Sequence, residues 1–404
     1  VTTQSAPNKQ PKAIAARLLD ILGSYGLVCL LLAALFVLTV QGTLYQVNHG
    51  LYDAKKLYFE SWLIWSSVGG VSVPIFPGGV LCMALLAANL LVGGLLRLRV
   101  GTRTAGVLVI HLGIIFMLLA SLVKLTGSEE GHLTLYEGDE SDHFTSYHKW
   151  EVAVWPAGGE GPVAEFVIED HLLTDLTDGA TRSFSFPGVP FVLELSNFLP
   201  HCDPLPKGPA WEADSPVLDG FALLAREPLK ETERHTAGMV GRVEVNGETS
   251  AAILWCFERY PWTVEAEGQT WAVSLRHARY AMPFSIRLDD FQKEEHPGIS
   301  MAKSYRSFVY RVDESGAERI LIEMNDPLRE GGLVLFQSGW GPQNAGPRQR
   351  LFSTFSVVRN PSDKWPEYSM WIITLGMLMA FGRKLFSFVI KSTHKAAPLT
   401  GDAE

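Results

Sequence analysis

The chain has 404 residues, 47% of them hydrophobic, and a formal net charge of −9 at pH 7. Excess acid argues against non-specific nucleic-acid binding, which needs a basic surface, and the length exceeds what one ordinary core fills. The four cysteines form no C-x-x-C or C-x-x-C-H pair, so the chain carries neither a thioredoxin-type redox motif nor a covalent haem-attachment motif of its own.

The apolar residues are clustered. Four nearly charge-free runs, Tyr25–Val40, Val80–Leu96, Ala105–Val123 and Tyr368–Ile390, approach or reach the roughly 20 residues that cross a bilayer. With their flanks they predict transmembrane helices at 17–45, 79–97, 105–126 and 367–390. No A-x-A-like cleavage site follows the first run, so it reads as a retained span and not as a signal peptide. The expected connections are a polar tail at 1–16, an aromatic loop at 46–78, a basic loop at 98–104, a large domain at 127–366 and a tail at 391–404. Lys9, Lys12 and Arg17 precede the first span, Arg97, Arg99 and Arg103 lie between the second and third, and Arg383, Lys384, Lys391 and Lys395 end or follow the fourth. The positive-inside rule puts all three groups on the cytoplasmic face and the two long connections outside.

In His49–Trp65, Asp53, Lys56 and Glu60 recur at helical spacing among Tyr52, Tyr58, Phe59, Trp62 and Trp65. That pattern suits either a helix lying on the outer membrane surface or a packed cover for the outer domain. Span two carries Ala84, Ala87, Ala88, Gly93 and Gly94, small residues that permit close helix packing. Its one polar residue is Asn89, and the body of span three holds one titratable residue, His111. Each lies seven residues from its cytoplasmic end, about 10 Å deep at 1.5 Å per residue. An ionisable side chain at that depth is costly and marks a functional site by default. Two readings follow: Asn89 hydrogen-bonds His111 and neither binds anything, or Asn89 orients an imidazole whose other nitrogen holds a metal.

Beyond Leu125 the period changes to two. His132–Tyr136, Trp150–Trp155, Phe191–Leu195, Gly241–Val245, Trp271–Leu275, Phe284–Leu288, Phe308–Val312, Leu333–Phe336 and Phe352–Val357 alternate as half-buried strands do. Residues 200–240 are the least regular and read as a long loop or insertion. The fold class is therefore an α+β membrane protein: four transmembrane helices plus a large, mostly antiparallel extracytoplasmic β domain, sandwich or barrel-like. Cys29 and Cys82 fall in spans, whereas Cys202 and Cys256 fall in the β domain, where a disulfide is open but untested by sequence.

The last third carries an ordered series: Phe284-Ser-Ile-Arg-Leu-Asp-Asp-Phe291, Glu294-Glu-His-Pro-Gly298, Lys303-Ser-Tyr-Arg-Ser307, Asn325-Asp-Pro-Leu328, Gly332, Phe336-Gln-Ser338 and Phe355–Pro361 before a span. This series, with Gly42-Thr-Leu at the end of span one and a histidine in span three, resembles the ResB (CcsB) family of cytochrome c biogenesis proteins. The resemblance implies a multi-pass protein of the inner (plasma) membrane of a bacterium, with its large domain in the periplasm or outside the cell. It implies a haem-binding, non-catalytic subunit that pairs with a ResC/CcsA-type membrane subunit, moves haem b as transported substrate and helps present it to apocytochrome c. On that carry-over His111 ligates the iron and the partner supplies the other axial histidine. Asn89 orients His111, and Arg97, Arg99 and Arg103 are in reach of haem propionates as well as serving topology. The tryptophan-rich haem-handling loop of the system belongs to the partner, and no run here replaces it. A second class of function stays open: a membrane-anchored extracytoplasmic scaffold for a partner protein, with no haem bound by this chain.

Overall fold

The computed structural model describes residues 14–158, 163–299, 302–343, 346 and 349–395. Lys9, Lys12 and most of the two expected tails lie outside them. The chain divides into a helical unit, formed by the segment up to Ser128 and the segment from Asn360 on, and a β unit, Glu129–Arg359.

In the helical unit, α1 (Ile14–Leu22) and α2 (Tyr25–His49) are separated at Gly23-Ser24, where extended Ser24 caps α2 by accepting the Leu27 amide at 3.2 Å. A short α3 (Leu51–Ala54) runs into a π-helical turn, Lys55–Phe59. The helix expected over His49–Trp65 stops there. Leu63–Val68 instead pairs antiparallel with Val71–Pro77 around Gly69-Gly70, both at positive φ. Two glycines that accept positive φ make the tight turn, and Pro74 and Pro77 would break a helix. Next come α4 (Gly79–Asn89), which widens without interruption into a π segment Leu90–Leu96, then α5 (Ala105–Gly127) and α6 (Trp365–Lys395). Among the described residues four helices are long and apolar enough to cross a membrane: α2, α4 with its π segment, α5 and α6 over Trp365–Ser392. The four-helix expectation is met.

Lipid gives helices no hydrophobic reason to associate, so α5 and α6 meet through small residues and hydrogen bonds. Gly106, Gly113 and Ala120, seven apart, are the buried residues of α5. Facing them, Ser362, just before α6, and Ser369 and Gly376 within it recur at the same spacing. A Cβ on Gly106 would lie 2.6 Å from the Ala380 amide nitrogen, one on Gly376 2.7 Å from that of Ile110. Ser369 Oγ donates to Gly113 O at 2.7 Å and Ser362 Oγ to Ala120 O at 2.8 Å.

The β unit is the expected antiparallel domain. Its ten-stranded sheet runs in the order Gly316–Glu323, Ala302–Asp313, Gln269–Glu295, Glu140–Pro156, Glu129–Tyr136, Phe352–Arg359, Leu333–Gly341, Leu328–Glu330, with Trp262–Ala266 and Phe166–Glu169 pairing at the side. A four-stranded sheet holds Glu248–Trp255, Gly238–Val245, Leu193–Leu199 and Thr181–Phe184. The two cores are distinct. One is a sandwich in which Val152, Val154, Val273 and Leu275 meet Leu193, Leu195, Met239 and Leu254 of the smaller sheet. In the other the large sheet curls on itself around Leu133, Phe144, Ile286, Val309, Leu335 and Phe355. Buried Ser307 and Ser353 hydrogen-bond each other at 2.9 Å, and both meet Gln337 across that curl.

The strands expected at Trp271–Leu275 and Phe284–Leu288 are one 27-residue strand that passes through both cores. Register breaks in its pairing with Glu140–Pro156 explain why the alternation lapses between them. Phe191-Val192 precedes its strand rather than opening it. The irregular 200–240 region contains a small hairpin, Cys202–Pro206 with Phe221–Ala225. Cys202 and Cys256 are free thiols, and burial pushes them up to about 12 and about 11 respectively.

One register break sits at Thr145–Trp150, opposite His277–Arg279. There His277 stacks on Trp150 with ring centroids 3.8 Å apart, and the Nδ1 atoms of His132 and His277 are buried without a hydrogen-bond partner. Burial, then repulsion from His132, lowers His277 to about 4, and burial lowers His132 as well. Between pH 6.5 and about 4 the unfolded chain therefore binds more protons than the folded one, and stability falls as the pH is lowered through that window. Thermal melts at pH 7 and at the bottom of the window should show a smaller acid-induced drop for His277→Phe, which keeps the stack, than for wild type. Separately, Gly113→Leu would force a side chain onto Ile373, whose Cγ1 lies 2.6 Å from the Cβ position. Overpacking of that kind costs about 1–3 kcal/mol, to be read as an earlier detergent-denaturation midpoint.

Candidate functional site

His111 projects from α5 toward the π segment that ends span two. Its Nδ1 lies 3.0 Å from Gly94 O. A carbonyl can only accept, so Nδ1 carries the proton, and in the neutral ring the lone pair resides on Nε2. No hydrogen-bond partner among the described residues meets Nε2. The ring is half-buried, and its i±3 and i±4 neighbours Val107, Leu108, Ile114 and Ile115 are all apolar.

Gly94 O is available because the helix is ending. The last bond of the π segment runs from Arg97 N to Val92 O, so the following carbonyls have no intrahelical donor. A Cβ on Gly94 would lie 2.7 Å from His111 Nδ1 and 3.2 Å from Cε1. Only glycine lets the imidazole reach that carbonyl. The adjoining Gly93 is close-packed on the other side, where its Cβ would lie 3.1 Å from Gly23 O.

Asn89 does not orient His111, contrary to both sequence readings. It is buried, and its Nδ2 donates to Leu22 O at 2.5 Å and Ser24 O at 3.0 Å, closing the break between α1 and α2. Two carbonyls left over at that break compete for the amide, and they win. Arg97, Arg99 and Arg103 are exposed in or beside the loop between span two and α5. Arg97 is engaged by Asp20 at 2.6 Å, while the Arg99 carbonyl accepts from Thr104 Oγ1 at 2.7 Å. His111 and Gly94 are thus brought together, with Asn89 and Arg97 one layer away around α1.

No group of three His, Cys, Asp or Glu among the described residues could hold a metal ion. His111 offers one ligand position. His49 closes α2, a spanning helix, and stacks on Tyr45 at 3.9 Å. It lies about 37 Å along that helix from the end held by Asn89, too far to share a site with His111. Beginning one turn from His111 at Ile115, an apolar groove of about 610 Å³ runs between α4 and α5, lined by residues such as Phe59, Met83, Ala87, Leu118 and Leu122.

The ResB-like family model matches residues 237–350. The matched segment includes Phe284–Phe291, Glu294–Gly298, Lys303–Ser307 and Asn325–Leu328, on which the resemblance rests, and lies wholly in the β unit. No curated protein matches the chain.

Removing the Asn89 amide should release the α1–α2 break while leaving α5 in place. Asn89→Ala is expected to speed amide hydrogen exchange over Ile14–Ser24 by about 5- to 160-fold, as the loss of buried hydrogen bonds worth about 1–3 kcal/mol implies. Unchanged protection there would mean that the bonds contribute nothing.

Proposed function

We propose a role in cytochrome c biogenesis for this chain, supported by the ResB-like match over residues 237–350, which is consistent with a member of the ResB/CcsB family. We propose that within this role it is the haem-binding membrane subunit, with haem as transported substrate and His111 as one axial ligand. The observation that carries the reading is the Nδ1–Gly94 O bond, which leaves Nε2 as a lone pair in an apolar helix. Haem iron accepts such an imidazole. A backbone acceptor on the opposite nitrogen fixes the tautomer, turns the ring and raises its basicity, the usual arrangement behind a metal-bound histidine.

The roles of the surrounding residues follow from their chemistry. The groove reaching Ile115 has the size and apolar lining of a small-molecule site and suits a porphyrin face. Arg99 and Arg103 have no acidic partner among the described residues and suit haem propionates; Arg97 first has to leave Asp20. The second axial ligand is assigned to a ResC/CcsA-type partner subunit, because among the described histidines of the helical unit His49 closes the far end of α2 and His394 lies about 27 Å along α6 beyond the residue packed on Ile110. Presentation to apocytochrome c thiols is then shared with that partner, with the β unit on the outer side of a bacterial inner membrane.

The complex co-purified with a ResC/CcsA-type subunit should show a bis-imidazole haem spectrum that His111→Ala converts to a five-coordinate one, restored by added imidazole. Gly94→Ala should keep the haem but shift its spectrum and loosen binding, about 10–100-fold for a lost outer-shell partner. An unaltered spectrum in His111→Ala would leave the scaffold reading in possession.

A further inference from the structure

The helical unit has a second feature, α1, which the haem reading does not use and which lies beside the arginines that reading gives to propionates. In α1, Ile14, Leu18, Ile21 and Leu22 recur at i, i+4, i+7 and i+8 and form one apolar face. That face is open: Ile14 is 79%, Leu18 56% and Ile21 59% exposed. Asp20 lies on the opposite face, where it pairs with Arg97, and Arg17 flanks the apolar face beside Ile21. The polar side of α1 is therefore turned to the protein, and the apolar side is turned away from it.

What covers that apolar face follows from where α1 is attached. The adjoining α2 has 25 residues, enough to cross the hydrocarbon core unaided. The chain breaks at Gly23-Ser24, so α1 does not continue the span. Asn89 holds the carbonyls on both sides of the break, and Gly93 packs on Gly23. These bonds keep α1 at the end of span two, beside the loop that carries Arg99 and Arg103. Arg17, Arg99 and Arg103 are exposed and have no acidic partner among the described residues.

We infer that α1 is an interfacial helix that seats its Ile14–Leu18–Ile21 face in the leaflet at this end of the spans, with Arg17 and, while no propionate holds them, Arg99 and Arg103 binding the headgroups of anionic phospholipids. A short helix with one apolar and one charged face, tied to a span at the membrane boundary, has the chemistry of that interface. Arginines near an anionic surface attract it, and guanidinium matches phosphate geometry. The seat has a consequence for His111. A helix anchored in the leaflet holds Gly23 against Gly93, one residue from the carbonyl that His111 engages.

The test uses the full chain in nanodiscs of phosphatidylcholine alone or mixed with phosphatidylglycerol. Spin labels at Leu18→Cys and Arg17→Cys report depth through collision with oxygen and with a water-soluble nickel chelate. The Leu18 label should be oxygen-accessible and chelate-protected, and the Arg17 label the reverse. Chelate access at Leu18, or protection of it from both agents as against a second protein surface, would overturn the seat. For the headgroups, the excess of phosphatidylglycerol over phosphatidylcholine retained on purification is compared between wild type and the triple variant Arg17→Gln, Arg99→Gln, Arg103→Gln. Each arginine should contribute about fivefold. Equal retention overturns the arginine assignment. Both readouts are made without haem, so failure here is separate from failure of the haem reading.

Discussion

A backbone carbonyl at membrane depth has to find a donor, because lipid supplies none. The helical unit meets that constraint with side chains at several points. His111 serves Gly94 O at the end of the π segment, and Asn89 serves Leu22 O and Ser24 O at the break before α2. Ser369 and Ser362 reach the carbonyls of Gly113 and Ala120 across the α5–α6 contact. At Gly94 only glycine makes the approach possible, since a methyl group there would occupy the imidazole's place. A bond that satisfies the backbone thus also decides which imidazole nitrogen is free. Structural economy and ligand chemistry reside in the same contact.

The π segment is the device behind this. Widening the helix over Leu90–Leu96 places Gly93 and Gly94 side by side, so that one meets Gly23 and the other His111. π segments recur at functional sites, and here one closes the helix and leaves its last carbonyls to side chains. Here the result is a continuous chain of contacts from Asp20–Arg97 through the α1–α2 break to His111. The β unit solves a different problem. Two strands, Glu140–Pro156 and Gln269–Glu295, run through both a sandwich core and a curled core, and the breaks in their register let one pair of strands serve both.

Much of this architecture was legible in the residues. Runs of apolar side chains marked four spans, and alternation marked eight of the eighteen described strands, since both patterns record burial directly. His111 stood out because a titratable group among leucines and isoleucines is costly. Its partner did not stand out, because the acceptor is a main-chain atom and carries no letter of its own. Gly93-Gly94 read only as small packing residues, and the heptad spacing of Gly106, Gly113 and Ala120 against Ser362, Ser369 and Gly376 is present in the sequence but gains meaning only when α5 and α6 meet. Helical rise alone puts Asn89 and His111 at one depth, but His111 meets span two at Gly94, five residues further along, and Asn89 turns to the α1–α2 break.

By itself, then, the amino-acid sequence determined the class of protein: spans where hydropathy requires lipid, a β domain where alternation requires a one-sided core, and one histidine placed against its own hydration preference. Tertiary structure decided the pairings. That His111 donates to Gly94 O, that Asn89 belongs to the α1–α2 break, and that one 27-residue strand replaces two all depend on which helical face and which register neighbouring elements present. Those are properties of packing between segments distant in the chain, where competition among carbonyls for a few donors is settled only when the elements meet.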